Sequence, residues 1–312
     1  MSGRDDAPAD RPMNRALEQF PWPPLPDGEV PRWSGEGFQV ADRREAVLSY
    51  GQGASHWSPE LTALHEAQAG AEHPIDVASR RLALRTLRRH AGPRAPVILE
   101  VGCSSGFFIE ALRHGWPEAA VIGADFIRAP LLTLARRARG VPLLQFDLRH
   151  CPLPGASVEV VVALNVLEHI DEDEQALRQI HRSLKPGGLA YIEVPAGPHL
   201  HDVYDEVLQH RRRYRLSGLL GLARRAGFEP VMATHLGALL YPAFCWAKRR
   251  NQRMRSLPEA AKRPWVASQI RTTADSGLMR VVLAVELALG RFIRYPFGIR
   301  CVLLLRKPES AP

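Results

Sequence analysis

Val97-Ile98-Leu99-Glu100-Val101-Gly102-Cys103-Ser104-Ser105-Gly106 opens as a nearly continuous apolar run, turns through small residues, and leads into Phe107-Phe108-Ile109. A strand that is apolar at successive rather than alternate positions is covered on both faces, as strands of parallel sheets are. Ligands of open α/β sheets gather at the carboxyl ends of such strands. Gly102 and Gly106 let the backbone turn sharply and approach a ligand with no Cβ in the way. The spacing then separates ligand classes. It gives neither the G-x-G-x-x-G of a dinucleotide fold nor the Gly-Lys-Ser/Thr ending of a phosphate loop. An acid, Glu100, stands two residues ahead of Gly102 instead, which disfavours a pyrophosphate and suits a ligand bearing positive charge.

Outward from this stretch the chain alternates strand and helix. Apolar runs recur at Val97–Val101, Ala120–Ala124, Val141–Phe146, Val158–Leu164 and Leu189–Val194, with helical spacing over Phe107–His114, Ala129–Arg139 and Glu172–Leu184. A helix at Leu216–Ala226 stops at Gly227, and strands follow near Pro230–Leu236 and Arg300–Leu305. The alternation predicts an α/β fold: a Rossmann-like, seven-stranded, mostly parallel sheet with helices on both faces. The organisation expected is a mobile Pro-rich arm over 1–35, a helical lead-in over 36–92 whose helical pattern starts at Pro59, a core over 93–238, a basic and amphipathic helical insertion over 239–297, and a final core strand over 298–308. Within the arm, Phe20, Trp22, Leu25 and Trp33 are candidates for docking on the body. Two further acids follow the pattern of Glu100. Asp125 ends the second core strand, where a carboxylate can accept both hydroxyls of a ribose, and Asp147 ends the third. Carboxylates at three successive strand ends make a site for a cationic nucleoside.

The stretches LEVGCSSGFF, VIGADFI, LLQFDLRHCPLP, VVVALNVLEHI, LRQIHRSLKPGGLAYIEVP and RRAGFEP, in this order and spacing, resemble the class I S-adenosylmethionine-dependent methyltransferases, most of all the ubiquinone-biosynthesis-like small-molecule enzymes. The resemblance covers about residues 97–195 with a tail near 210–230, and it does not specify a substrate. It implies an antiparallel last strand and S-adenosylmethionine as cofactor. Gly102, Cys103 and Gly106, with Glu100 beneath, correspond to the loop around the methionine portion; Asp125 corresponds to the ribose-binding acid, with Phe126 beside the adenosine. Asp147 and the Leu148 amide correspond to the adenine contacts, and Asn165 to the position whose backbone holds the cofactor's amino group. Ser104 stands where the family's loop often has its middle glycine.

Methyl transfer is an in-line displacement that needs alignment, exclusion of water and, for a hydroxyl acceptor, a base. His169, just past the fourth core strand, is the candidate base; a role limited to organising the loop is the alternative. Some relatives carry E-x-x-E-H here and a later His, which together hold a divalent cation. Glu168, His169 and His210 match that set, whereas Asn165 replaces the first Glu and removes one hard ligand, so a metal is the less favoured expectation.

Charge is unevenly distributed. The formal net charge is +8, and from Pro198 onward 20 Lys+Arg face 8 Asp+Glu. That asymmetry invites an anionic partner or describes a solvated arginine-rich exterior. Arg211, Arg212, Arg213 and Arg215 pose the same choice between a clamp for phosphate or carboxylate and a solvated run. In the insertion, Leu278, Val281, Val285, Leu289 and Phe292 recur at helical spacing opposite Arg280, Arg291 and Arg294. A helix packed on the sheet is the favoured reading, and peripheral contact with a membrane the other. Four dispersed cysteines, no signal-like start and no stretch long enough to span a bilayer point to the cytoplasm, with peripheral attachment at the inner face of a membrane as the variant.

The expected function is methyl transfer to a small-molecule or lipid-linked acceptor, at oxygen and with an anionic group in the acceptor. RNA methylation through the basic C-terminal part is the alternative enzyme, disfavoured by the lack of an Asn/Asp-Pro-Pro-aromatic motif after the fourth core strand. A cofactor-binding scaffold without turnover is the alternative outside catalysis.

Overall fold

The computed structural model describes residues 12–51, 73–92, 94–274 and 276–309. The pattern of continuous apolar runs forms a central sheet. Val97–Val101 (β5) is buried at every residue and pairs in parallel with Ala120–Asp125 (β6) on one side and Val158–Leu164 (β8) on the other. Leu143–Gln145 (β7) extends the sheet beyond β6, and Leu184–Pro195 (β9) extends it beyond β8. Arg300–Arg306 (β11) lies antiparallel between β9 and Glu229–Leu236 (β10). The chain winds one way from β5 to β7 and the other way from β8, so β5 and β8 flank a switch point where the strand ends diverge and leave a crevice.

The sheet has one more strand than the seven expected. Leu48–Ser49 (β4) pairs in parallel with β7 at the edge. Ahead of it, Arg32–Trp33 (β1), Phe38–Val40 (β2) and Arg43–Glu45 (β3) form a small antiparallel sheet. The lead-in expected to be helical therefore begins as strands, and its described helix is Pro74–His90 (α2). Its 52–72 part, including the helical pattern expected from Pro59, lies outside the described residues.

The expected mobile arm needs correcting where it is described. Pro12–Glu18 (α1) leads into a cluster in which Phe20, Trp22 and Trp33 are buried with Phe38. The Trp22 ring lies 4.5 Å from Phe20 and 4.9 Å from Phe38, and its indole N–H donates to the Leu17 carbonyl at 3.1 Å. Burial of these large rings offsets the entropy lost in ordering the segment.

Helices Phe107–Gly115 (α3), Arg128–Arg137 (α4), Asp173–Ser183 (α5) and Leu216–Arg225 (α7) cover the sheet; a short one, Val203–Val207 (α6), precedes α7. Between β10 and β11 run Tyr241–Gln252 (α8), Glu259–Ala274 (α9) and Gly277–Leu289 (α10). The stripe expected to pack on the sheet does not. Leu278, Val281, Val285, Leu289 and Phe292 face solvent, and α10 turns Leu283 and Glu286 inward instead. The reason is polar: Glu286 accepts from the Gly237 amide at 2.6 Å and the Leu239 amide at 3.0 Å, so it is fixed inside.

Candidate active site

A cavity of about 490 Å³ opens at the switch point and runs under the insertion. Its first half is bordered by Gly102, Asp125, Phe126, Asp147, Leu148 and Asn165. At the end of β6, Asp125 is set by its neighbours: one oxygen accepts from the Ser104 amide at 2.9 Å and the other from the Ile127 amide at 2.8 Å. Asp147 is gripped by Arg149, whose Nε lies 3.1 and 3.0 Å from the two carboxylate oxygens and whose Nη2 lies 2.7 Å from one. Burial opposes ionisation of Asp147, but the guanidinium and the Arg149 amide outweigh it and hold its pKa below the usual value. A ligand amino group would share lone pairs already in use. Asn165 takes a left-handed backbone, φ 54°, with its amide on the Glu193 carbonyl at 2.9 Å.

Three residues expected at the cofactor, Glu100, Cys103 and Gly106, do not line this cavity. Glu100 is buried in β5 opposite Gly123, and burial, then the charge of Asp125, pushes its pKa up to about 8. Cys103 is buried in the apolar layer under the loop. The glycines answer to packing as well as to any ligand. Both have positive φ, and a Cβ would meet the Val166 side chain at 2.5 Å from Gly102 or the Leu134 side chain at 2.5 Å from Gly106.

The second half holds Glu168, His169 and His210, whose donor atoms lie within 4.8 Å of one another. The two imidazole rings stand edge to face, 4.9 Å apart. Glu168 is 0% exposed, neither of its oxygens has a hydrogen-bond partner among the described residues, and burial pushes its pKa up to about 8. His210 Nδ1 lies 2.7 Å from Asp205 Oδ1, yet burial outweighs that carboxylate and lowers the imidazole pKa.

Asp205 belongs to a buried ionic cluster that composition did not reveal. Arg213 Nε contacts its two oxygens at 2.8 and 2.9 Å, and Lys248 Nζ reaches Asp205 at 3.1 Å and Asp202 at 2.6 Å. Burial opposes the charge on Asp205, but His210, Lys248 and Arg213 together hold its pKa well below the carboxylate range. Asp202 and Asp205 also form a capping box on α6, the one signal of this cluster present in the sequence. A second ionic group ties α2 to the sheet: Arg300 pairs with Asp76 and, at 2.7 Å, with Glu193. Arg213, Lys248 and Arg300 border the cavity; the carboxylates that neutralise them, Asp202, Asp205, Asp76 and Glu193, do not. The cations thus face the enclosed space and the anions sit behind them. Phe244, Lys248 and Asn251 of α8 and Gln269 and Thr273 of α9 close the cavity from above, so the insertion forms its roof.

Residues 99–192 match the family described as a methyltransferase domain. The chain is 31% identical over 134 residues to a protein of Mycolicibacterium smegmatis described as a probable S-adenosylmethionine-dependent methyltransferase, covering 42% of this chain and 51% of that one. It is 33% identical to the trans-aconitate 2-methyltransferase of Azoarcus sp., over 47% of this chain and 54% of that one. It is also 33% identical to the demethylmenaquinone methyltransferase of Thermus thermophilus, over 46% and 59%. The chain spans about half the length of these curated relatives. Among solved structures, the phosphoethanolamine N-methyltransferase 2 of Haemonchus contortus in complex with S-adenosyl-L-methionine shares the fold, with a TM-score of 0.51 at 17% identity, covering 79% of this chain and 56% of that one. Over residues 99–192 the chain is thus similar in sequence to methyltransferase domains, and over most of its length it shares the fold of a methyltransferase solved with S-adenosyl-L-methionine.

Proposed function

We propose that this chain transfers the methyl group of S-adenosylmethionine to an oxygen of a small-molecule or lipid-linked acceptor that carries negative charge. The observation that carries the reading is the single cavity joining the strand-end carboxylates to a second chamber faced by Arg213, Lys248 and Arg300. In the first half, Asp125 accepts the ribose hydroxyls, Phe126 packs beside the adenosine, Asp147 and Leu148 meet the adenine, and Gly102 and Asn165 border the methionine portion. Glu100 acts from beneath as a buried carboxyl that a nearby sulfonium or ammonium favours in its charged form. In the second half, the cations and the overlying helices orient the acceptor and exclude water. The acceptor oxygen attacks the methyl carbon, the C–S bond breaks with its electron pair passing to sulfur, and the hydroxyl proton goes to His169.

Trans-aconitate, the acceptor named for the Azoarcus relative, agrees with an anionic acceptor, and demethylmenaquinone, named for the Thermus relative, with a lipid-linked one. Part of the basic run that would recommend RNA is already neutralised by carboxylates, because Lys248 is buried on Asp202 and Asp205, and Lys262 and the exposed Arg255 both pair with Glu206. Incubation with methyl-labelled cofactor and separate polar and lipid extracts tests the proposal. Release of the label as methanol in mild base marks a carboxyl ester, and a label that resists base marks an ether. A chain that binds the cofactor and labels nothing in either extract is a scaffold.

A second reading rests on the cluster of Glu168, His169 and His210. Its unpartnered buried carboxylate fits a bound divalent ion, and so does Asp205 behind His210, the arrangement that orients a metal-ligating imidazole. Such an ion polarises an acceptor oxygen when bound. Two imidazoles and one carboxylate suit a transition ion better than magnesium, whose preference for oxygen the Asn165 substitution leaves unmet. As a ligand His169 could not also serve as base. Turnover that survives a chelator assigns it the base role, with His169→Ala lowering kcat by roughly 10²-fold or more; turnover lost to the chelator and restored by zinc or manganese assigns the metal.

A further inference from the structure

Helix α10 carries apolar side chains on both faces. Inward it packs Leu283 into the core beside α2; outward it leaves Leu278 75% exposed and Val281 61% exposed, with Val285 and Leu289 continuing the stripe and Phe292, just beyond, at 87%. Arg280 is the one exposed ionic residue on it. A helix apolar all round belongs in an interior or against lipid, and this one has only half an interior.

Next to the stripe lies a second cavity, of about 350 Å³, between α2, β10 and the end of α10. Arg85, Arg89, Arg291 and Arg294 border it with His90 and His235. Arg85 and Arg294 donate to backbone carbonyls, of Leu287 at 2.7 Å and Gly290 at 3.0 Å, and among the described residues none of the four arginines has a carboxylate partner. Burial, and then the like charges of Arg291, Arg294 and Arg89, lower the pKa of Arg85. Glu286 also borders this cavity, but its two oxygens are already taken by the amides of Gly237 and Leu239.

We propose that α10 and this arginine cavity form a docking surface for an anionic lipid bilayer, the apolar stripe entering the interface and the arginines taking a headgroup phosphate. Guanidinium forks suit phosphate oxygens, and a helix lying in the interface buries an apolar face while its cations meet the headgroups. A second copy of this chain is the poorer occupant, because its matching stripe of Leu278, Val281, Val285, Leu289 and Phe292 brings no anion to the arginines. Neither the exposed stripe nor any of the four arginines borders the cofactor cavity, so the surface is independent of the methyl transfer proposed above.

Flotation of the full chain tests it, with vesicles of phosphatidylcholine alone and of phosphatidylcholine mixed with phosphatidylglycerol. The chain floats with the mixed vesicles only, and salt releases it. Val281→Asp with Val285→Asp abolishes flotation, and Arg291→Gln with Arg294→Gln lowers the partition coefficient by more than ~10-fold, at about fivefold per cation near an anionic surface. Retained cofactor binding by these variants shows that they fold. The proposal is overturned if the wild type stays with neither vesicle, or if both double variants float as it does. It is equally overturned if inorganic phosphate binds in calorimetry while vesicles do not, or if the apolar variant instead dissolves a concentration-dependent dimer that ignores vesicles.

Discussion

Lys248, from the helical insertion, sets its ammonium 2.6 Å from Asp202 and 3.1 Å from Asp205, with all three side chains buried. The pairing fastens the roof of the cavity to the segment that carries His210 and Arg213. Because a buried carboxylate pair left with one cation fewer is strongly unfavourable, Lys248→Met is expected to lower stability by about 3–5 kcal/mol. Urea unfolding measures this, and a loss below about 1 kcal/mol, the range of an exposed pair, would show that the cluster is solvated.

Glu100 makes stability depend on pH. Its folded pKa of about 8 lies above the ordinary 4.5, so between those values the folded chain keeps a proton that the unfolded chain has released. Its contribution to stability is therefore present below pH 4.5, falls as pH rises, and is gone above pH 8. Glu100→Gln, which stays neutral, is expected to flatten the decline between pH 5 and 8 in denaturant titrations. A parallel decline in both proteins would locate the titration elsewhere.

Gly102 is held by two constraints at once, a φ of 75° and the Val166 side chain 2.5 Å from where a Cβ would stand. Gly102→Ala should cost about 1–3 kcal/mol. Adding Val166→Ala removes the clash and leaves the backbone strain, so part of the loss is recovered in thermal unfolding. Recovery of none of it would mean that the backbone term alone decides.

Trp22→Ala tests whether the N-terminal segment is part of the core. A ring packed against Phe20 and Phe38 loses about 3–5 kcal/mol on truncation to alanine, whereas a mobile arm loses nothing. Urea unfolding of the variant separates the two.

These residues also mark what the sequence could and could not disclose. The sheet was legible because fully buried parallel strands are apolar at successive positions, and Asp125 and Asp147 announce themselves as the first polar residues after such runs. Helix α10 was not legible in the same way: with apolar residues all round, its period does not say which face turns inward, and the buried Glu286 is fixed by two amides that come from about fifty positions earlier. Arg213 and Lys248 sit in runs that composition assigns to solvent. What buries Lys248 is a pair of carboxylates 46 and 43 positions away, a distance over which no local pattern operates. The arm misleads for the opposite reason, since prolines weigh in a composition while a few aromatic rings decide the packing.

Calorimetric titration of S-adenosylhomocysteine into the wild type and Asp125→Ala addresses the central claim most directly. One site per chain is expected, with affinity at least ~10-fold weaker in the variant from the loss of charge-assisted hydrogen bonds to the ribose. No heat of binding with the wild type, or equal affinity in the two proteins, would contradict a nucleoside seated at the end of β6.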